Sequence, residues 1–187
     1  MKKICIVLAS FLISMGTYAQ EEISGVTPAK TIKVGDQNLN FNGAGLREKM
    51  FLDLYVGALY LENKTKDANK IINANESMAI TLDIVSGLIT SEKMISAINE
   101  GFEKSTGGKT APLKDKIQQF KDSFKEEIVK GDRFVIAYTK SGGSTVSKNG
   151  KLVKTIDGFD FKKALFGIWL CNEPADEDLK EGMLGLD

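Results

Sequence analysis

The sequence predicts an α+β domain in which helices pack on a face of one antiparallel sheet. Three observations favour this fold class. Strand-like segments come first, two amphipathic helical segments follow, and the chain then returns to strands before it ends in two further helices. Strands and helices that come in runs, rather than alternating one by one, are typical of an antiparallel sheet with helices on one side.

The first strands are predicted from turn residues and from alternating apolar side chains. We expect strands at residues 31–34, 38–41, 43–47, 51–61 and 77–85. Segment 51–61 is apolar on both faces apart from Asp53. A strand of this kind is expected near the centre of a sheet, with cover on both sides.

A helical middle follows these strands. Thr90 is the expected N-cap of a helix whose apolar residues recur at helical spacing up to Gly107. Pro112 opens a second predicted helix that runs to Gly131. One apolar stripe on this second helix is formed by Leu113, Ile117, Phe120, Phe124 and Ile128.

The last part of the chain predicts strands and two closing helices. A strand is expected at residues 133–139, and Asn149-Gly150 predicts a two-residue hairpin between strands 144–148 and 151–156. Asp160 is the expected cap of a helix at residues 161–170, and Pro174 is expected to open a helix at residues 175–184.

The N-terminus predicts export. Lys2 and Lys3 precede an apolar run from Ile4 to Met15, and Thr17-Tyr18-Ala19 offers small residues at the two positions that a signal peptidase reads. We interpret residues 1–19 as a signal peptide and residues 20–187 as one domain that is periplasmic or secreted. No later stretch is long and apolar enough to predict a transmembrane segment.

Composition excludes several classes of function. The chain has no histidine, which excludes the usual catalytic triads and histidine-ligated zinc. It also lacks the glycine patterns of Walker-type and dinucleotide-binding loops, and we expect neither a metal nor a cofactor. Its 25 basic and 25 acidic residues give no positive excess, which argues against nucleic acid as a partner.

Arg47 is the strongest candidate for a functional residue. It stands at the mouth of the long apolar strand that follows the glycine-rich segment 42–45. A guanidinium stays charged and presents a planar fork of donors, which suits a carboxylate or an enolate-like oxygen held over apolar walls. The alternative is a surface arginine whose stem covers apolar atoms.

Hairpin geometry decides which tyrosine accompanies Arg47. If residues 48–50 form the loop, Arg47 shares a sheet face with Tyr55. If only residues 49–50 form it, Arg47 shares a face with Tyr60. We favour Tyr55 and keep both as candidates.

Three segments resemble a known family. NGAGLREK at 42–49, VGALYLE at 56–62 and FDFKKALFGIWLCNEPADEDLKEGML at 159–184 resemble, in their order, segments of the chalcone isomerase-like superfamily. The resemblance covers roughly residues 23–186. It implies an open-faced β-sandwich, which is a large antiparallel sheet with a layer of helices over it.

The resemblance also implies roles for individual residues. Arg47 matches the arginine that polarises the substrate ketone in plant chalcone isomerases, and Tyr55 stands where those enzymes have a threonine. Ile168 and Trp169 replace a polar residue and a methionine of the penultimate helix, and the catalytic tyrosine has no counterpart at residues 90–94. The plant fatty-acid-binding members are similar in retaining an arginine and a tyrosine that hold a carboxylate above an apolar cavity.

The leading hypothesis is therefore an exported, non-catalytic protein that binds a small amphipathic carboxylate such as a fatty acid. Its expected ligand-binding residues are Arg47, Tyr55, Tyr60, Ile168 and Trp169. The alternative is an intramolecular lyase, or isomerase, that acts on chalcone-like enones with Arg47 as its catalytic residue.

A third hypothesis is an envelope protein that binds a partner protein and no small ligand. A salt bridge from Arg47 to Asp53 or Glu48 over a filled core would favour it.

Overall fold

Within residues 22–186, seven antiparallel strands form one sheet in which each strand pairs with the next along the chain. The computed structural model describes residues 22–186, so the expected signal peptide at residues 1–19 lies outside the described residues. The strands are β1 (Thr31–Val34), β2 (Gln37–Lys49), β3 (Leu52–Leu61), β4 (Met78–Ile84), β5 (Arg133–Thr139), β6 (Gly143–Lys148) and β7 (Lys151–Ile156). The expected strands at 38–41 and 43–47 are thus parts of one long strand, β2.

Five helices lie among or after these strands within the described residues, which confirms the predicted α+β class. They are α1 (Ala68–Asn73), α2 (Ser91–Thr106), α3 (Lys114–Asp122), α4 (Phe159–Leu170) and α5 (Glu177–Leu184). The N-cap of α2 is confirmed, because the Thr90 hydroxyl accepts a hydrogen bond from the Lys93 backbone N–H at 3.2 Å. Helix α1 was not expected from the sequence; Asp67 caps it by accepting from the Lys70 N–H.

The expected extension of α3 to Gly131 is wrong. Helix α3 ends at Asp122, and Phe124 and Ile128 are buried although they lie in an irregular segment. This segment has to turn back into β5. The Asp132 carboxylate accepts from the Val129 N–H at 2.9 Å, and Gly131 has a φ of +95°, so the backbone turns here instead of continuing the helix.

The two closing helices begin at residues other than those expected. Helix α4 begins at Phe159, with Gly158 as its N-cap, so Asp160 lies in the first turn and accepts from the Phe161 N–H at 2.8 Å. Helix α5 begins at Glu177, because Asp176 is its N-cap: one carboxylate oxygen accepts from the Leu179 N–H at 2.9 Å.

Both faces of β3 are buried, as predicted. Tyr55 and Leu59 belong to a large apolar cluster that includes residues of α2 and α4. Val56, Ala58 and Tyr60 belong to a smaller cluster on the opposite face of the sheet. Side chains on β3 therefore point alternately into two separate cores, and this alternation determines which of them can reach a site beneath the helices.

Glycines allow α5 to lie directly on β2. A side chain at Gly43 would overlap the carbonyl oxygen of Gly182, and one at Gly45 would come within 3.0 Å of Leu179. The Asn42 side-chain N–H donates to the Met183 carbonyl oxygen at 2.9 Å and fixes the C-terminal end of the helix. Helix α5 consequently runs antiparallel to β2, and its N-cap Asp176 lies beside Arg47.

A fully buried lysine joins α1 to α4. The Lys162 ammonium donates to the carbonyl oxygens of Ile71, Ile72 and Ala74 at 2.7, 2.9 and 2.7 Å. Its three N–H groups thus satisfy three carbonyls at the end of α1, while burial lowers the pKa of Lys162 to about 8. This contact helps to fix α4, which carries Ile168 and Trp169.

Candidate ligand-binding site

The hairpin between β2 and β3 places Arg47. Lys49 pairs with Leu52, so Met50 and Phe51 form a two-residue turn, with φ values of +52° and +63°. Neither of the loops expected at 48–50 or 49–50 forms. Both central positions require the left-handed conformation that asparagine and glycine adopt most easily, so a methionine and a phenylalanine here give no recognisable turn signal.

A bulge on β3 sets the partner of Arg47. Glu48 pairs with Asp53, but Arg47 pairs with Tyr55, which leaves Leu54 as an extra residue in β3. Arg47 and Tyr55 are therefore direct cross-strand neighbours on the same face of the sheet. The favoured arrangement is observed, although a different turn produces it.

The structure places Tyr60 away from this site. It lies on the opposite face of β3, where its ring packs edge-to-face on Phe41 at a centroid distance of 5.9 Å. Tyr60 does not line the cavity described below, so the expected ligand contact from this residue is not supported by its position. The alternation along β3 explains the separation, because Tyr55 and Tyr60 are an odd number of residues apart.

An apolar cavity of about 390 Å³ lies beside Arg47 and Tyr55. Strand β3 and helices α2 and α4 supply most of its wall, which includes Leu54, Tyr55, Met94, Ile98, Ile168 and Trp169. Four of the expected ligand-binding residues are thus brought together: Arg47, Tyr55, Ile168 and Trp169. Pockets for small ligands generally have volumes of about 300–1,000 Å³ and mostly apolar walls with a few polar groups.

Arg47 is held by a carboxylate that sequence reasoning did not find. Its Nη1 donates to Asp176 Oδ2 at 2.8 Å, with side-chain exposures of 18% for Arg47 and 16% for Asp176. Within residues 22–186 the guanidinium has no further hydrogen-bond partner. Its remaining N–H donors are therefore available to a second anion.

Tyr55 supplies a second donor. Its hydroxyl oxygen accepts from the Trp169 indole N–H at 3.1 Å, and nothing in the described residues accepts the hydroxyl proton of Tyr55. Burial raises the pKa of Tyr55, so the phenol stays protonated at neutral pH. A neutral phenol whose oxygen already accepts one hydrogen bond can still donate one to a second acceptor.

The rim of the cavity is mainly cationic. Lys49, Lys93 and Lys104 line it together with Arg47, and Glu100 is the acidic side chain among its lining residues. Lys104 pairs with Glu100 at 3.0 Å, whereas Lys93 donates to a backbone carbonyl, that of Leu88. An excess of positive charge at the mouth of an apolar cavity attracts amphipathic anions.

Sequence reasoning missed Asp176 for a physical reason. Its capping role has a local signal, since a carboxylate precedes the apolar pattern of α5. Its pairing with Arg47 spans 129 residues and depends on how α5 lies over the glycines of β2. The partner is neither Asp53, which accepts from Ser24 at 2.6 Å, nor Glu48, and a cavity rather than a filled core adjoins the ion pair.

None of the helices in the described part of the chain is long and apolar enough to span a bilayer.

Comparison with known proteins identifies the family. Residues 20–185 match the chalcone isomerase-like family, and the chain belongs to that family. No curated protein matches the sequence.

The fold is similar to that of the fatty-acid binding protein AtFAP1 of Arabidopsis thaliana. The TM-score is 0.68, with 19% sequence identity, over 86% of this chain and 92% of that chain. At this level of identity the similarity concerns the fold. It confirms the predicted chalcone isomerase-like architecture.

Proposed function

We propose that the protein is exported and binds a small amphipathic carboxylate, such as a fatty acid, without catalysing a reaction on it. One observation carries this proposal. Arg47 and Tyr55 are cross-strand neighbours at the wall of an apolar cavity of about 390 Å³, and each keeps a hydrogen-bond donor without a partner in the described residues. Export rests on the signal-like pattern of residues 1–19.

The available donors suit a carboxylate. One oxygen of the head group would accept from the remaining N–H groups of Arg47, and the other from the Tyr55 hydroxyl. The aliphatic chain would then lie against Met94, Ile98 and Ile168, where its burial provides most of the binding free energy at about 0.8 kcal/mol per CH₂ group. The similarity to a fatty-acid binding protein is consistent with this choice of ligand.

Asp176 tunes the site in this proposal. Its carboxylate orients the guanidinium but also offsets part of the positive charge that a ligand would meet. A ligand carboxylate must therefore share Arg47 with Asp176. Removing only the charge of Asp176 should strengthen binding, whereas removing Arg47 should weaken it.

Displacement of a fluorescent fatty acid by palmitate tests this directly. We expect Asp176→Asn to bind palmitate several-fold more tightly, because asparagine still caps α5 while the competing charge is gone. Arg47→Met should bind at least about tenfold more weakly, since a charge-assisted hydrogen bond contributes about 1.5–3 kcal/mol. The double variant Arg47→Met/Asp176→Asn should bind as weakly as Arg47→Met, and it leaves no carboxylate without its partner.

Asp160→Asn is the matched control. Asp160 also lies at the start of a helix and pairs with a basic residue, Lys116 at 2.9 Å, but it does not line the cavity. Its substitution should leave palmitate affinity unchanged. Equal affinity of the wild type and the double variant would contradict the assignment of Arg47 to the head group.

Export is tested separately by the intact mass of the protein from cell fractions. The proposal expects a mature protein that begins at Gln20 in the envelope or medium. A full-length protein that remains in the cytosol would contradict it and would leave the ligand proposal untouched.

A second candidate function is an intramolecular lyase acting on chalcone-like enones. The same two donors favour it, because Arg47 and Tyr55 together could stabilise an enolate-like oxygen in the cavity. Loss of chalcone absorbance in the presence of protein, abolished in Arg47→Met, would support this activity. Unchanged absorbance at high protein concentration would eliminate it.

A further inference from the structure

The tip of the β2–β3 hairpin exposes large apolar side chains. Phe51 is 100% exposed, Met50 80% and Leu52 48%, and Leu88 from the loop before α2 is 47% exposed. Met50, Leu52 and Leu88 also line the mouth of the cavity. These four residues form one apolar rim, which we call the rim patch.

The backbone conformation at the hairpin tip adds to the free-energy cost of exposing these side chains. Met50 and Phe51 both have positive φ, a conformation that is strained for large side chains and that the turn would adopt more easily with asparagine and glycine. Fully exposed apolar side chains contribute nothing to the core. Bulky residues that oppose the local preference and are wholly exposed, as Phe51 is, or largely exposed, as Met50 is, indicate a role outside the folded chain.

Charge identifies what would cover the rim patch. Lys49 precedes the turn and Lys93 lies on the first turns of α2, and neither forms a salt bridge with a described residue. Glu48 and Asp53 are cross-strand neighbours one step further from the turn than Lys49, and the Asp53 carboxylate accepts a hydrogen bond from Ser24. Glu48, Asp53 and the neighbouring Glu92 do not line the cavity, so the charges beside the apolar side chains at its mouth are lysines. Lysines beside exposed apolar side chains are the combination that binds to an anionic lipid interface.

We propose that the rim patch docks on the surface of an anionic lipid bilayer, with Phe51 inserted among the lipids and the mouth of the cavity facing the membrane. This goes beyond ligand binding, because docking requires neither a particular ligand nor an occupied cavity. It places the cavity opening where an amphipathic molecule would leave or join the bilayer.

Sedimentation with vesicles tests the docking. Wild-type mature protein, without added fatty acid, should bind vesicles of phosphatidylcholine and phosphatidylglycerol and bind pure phosphatidylcholine more weakly. Each of the two lysines should contribute about fivefold to this preference at low salt. Phe51→Asn should reduce binding by about tenfold or more, because it removes the inserted ring.

Two features make the Phe51→Asn result interpretable. Asparagine tolerates positive φ and the position is fully exposed, so the variant should fold as the wild type does. Phe51 does not line the cavity, so palmitate binding should be unchanged and failure of the ligand proposal would be seen separately. Leu152→Asn is the matched control: Leu152 is 60% exposed beside the other two-residue hairpin turn, and it should bind vesicles normally.

Tryptophan fluorescence gives a second readout. The tryptophan introduced by Phe51→Trp should emit at shorter wavelength when anionic vesicles are added. The tryptophan introduced by Leu152→Trp should not. Absence of vesicle binding by the wild type, or equal binding by wild type and Phe51→Asn, would overturn the proposal. In either case a protein partner would become the better explanation of the rim patch.

Discussion

Two hairpins of this protein share one backbone design and differ in sequence. The β2–β3 hairpin turns at Met50-Phe51 and the β6–β7 hairpin at Asn149-Gly150, each with positive φ at both central residues. Each has its extra residue three positions after the turn, at Leu54 and Val153 respectively. The β6–β7 hairpin therefore shows what this backbone looks like when its turn sequence follows the ordinary preferences.

The β2–β3 hairpin departs from this pattern at two places. At equivalent positions, just before the bulge, the β6–β7 hairpin has Val146 buried in the core and the β2–β3 hairpin has Arg47 beside the cavity. At the turn, asparagine and glycine are replaced by an exposed methionine and phenylalanine. Both departures replace a residue type that the turn or the core ordinarily favours, and both occur at the mouth of the same cavity, which is where function is expected to override folding preference.

The largest loss of stability is expected from a change beneath helix α5, which covers the β2–β3 hairpin and not the β6–β7 hairpin. Gly43→Ala should destabilise the protein by about 3 kcal/mol or more, because the new methyl group would overlap backbone atoms of α5. Ser144→Ala on β6 is the control: the Ser144 hydroxyl is buried without a partner in the described residues, so its loss should be neutral or stabilising. Urea denaturation measures the stability of both variants. Equal changes in the two would contradict this difference between the hairpins.

Moving the Met-Phe turn into the β6–β7 hairpin should destabilise the protein less than Gly43→Ala does. Asn149→Met/Gly150→Phe should lower the free energy of unfolding by about 2 kcal/mol, since Gly150 has a φ of +80° and Asn149 also donates to Asp132 at 2.8 Å. The same denaturation measurement applies. No loss of stability would mean that this turn tolerates bulky residues, and the inference drawn from strain at Met50 and Phe51 would fail.

The reverse exchange should stabilise the protein by about 1 kcal/mol. Met50→Asn/Phe51→Gly gives the β2–β3 hairpin the preferred turn residues and removes two large apolar side chains, one wholly and one largely exposed. Thermal unfolding should show a higher Tm, while vesicle binding is lost. A lower Tm would show that these side chains support the fold.

The smallest change in stability is expected when Arg47 is replaced by valine, the residue type of its counterpart Val146 in the β6–β7 hairpin. Arg47→Val/Asp176→Asn removes a mostly buried ion pair and should alter the free energy of unfolding by no more than about 1 kcal/mol, because desolvation offsets much of the attraction in such pairs. Palmitate binding should nonetheless fall by at least about tenfold. A large loss of stability would instead identify the ion pair as structural.

Local signals predicted the regular parts of the fold. The Asn149-Gly150 turn and the Thr90 cap were found because both residue types are preferred in those conformations. The Met50-Phe51 turn was missed because its residues oppose the preference, and α3 was predicted too long because Phe124 and Ile128 keep helical spacing without helical backbone.

Non-local geometry limited what could be predicted about the site. Arg47 was identified from its place before the apolar strand, Ile168 and Trp169 were identified from the family resemblance, and the cavity places all three together with Tyr55. Asp176 and the lysines of α2 were missed, because their proximity to Arg47 depends on how the helices pack on the sheet. The position of Tyr60 outside the cavity lining could be predicted only from the register of the hairpin, which the bulge at Leu54 determines.

The pKa of a bound ligand tests the proposed role of Arg47. NMR of palmitate labelled at its carboxyl carbon reports the ionisation of the head group in the complex. In the wild type, Arg47 should hold the pKa of the bound carboxyl below that of a free carboxylic acid in water. In Arg47→Val/Asp176→Asn the apolar cavity should raise the pKa of any residual bound ligand above that reference. The same titration in both proteins would contradict the central claim that Arg47 receives the carboxylate.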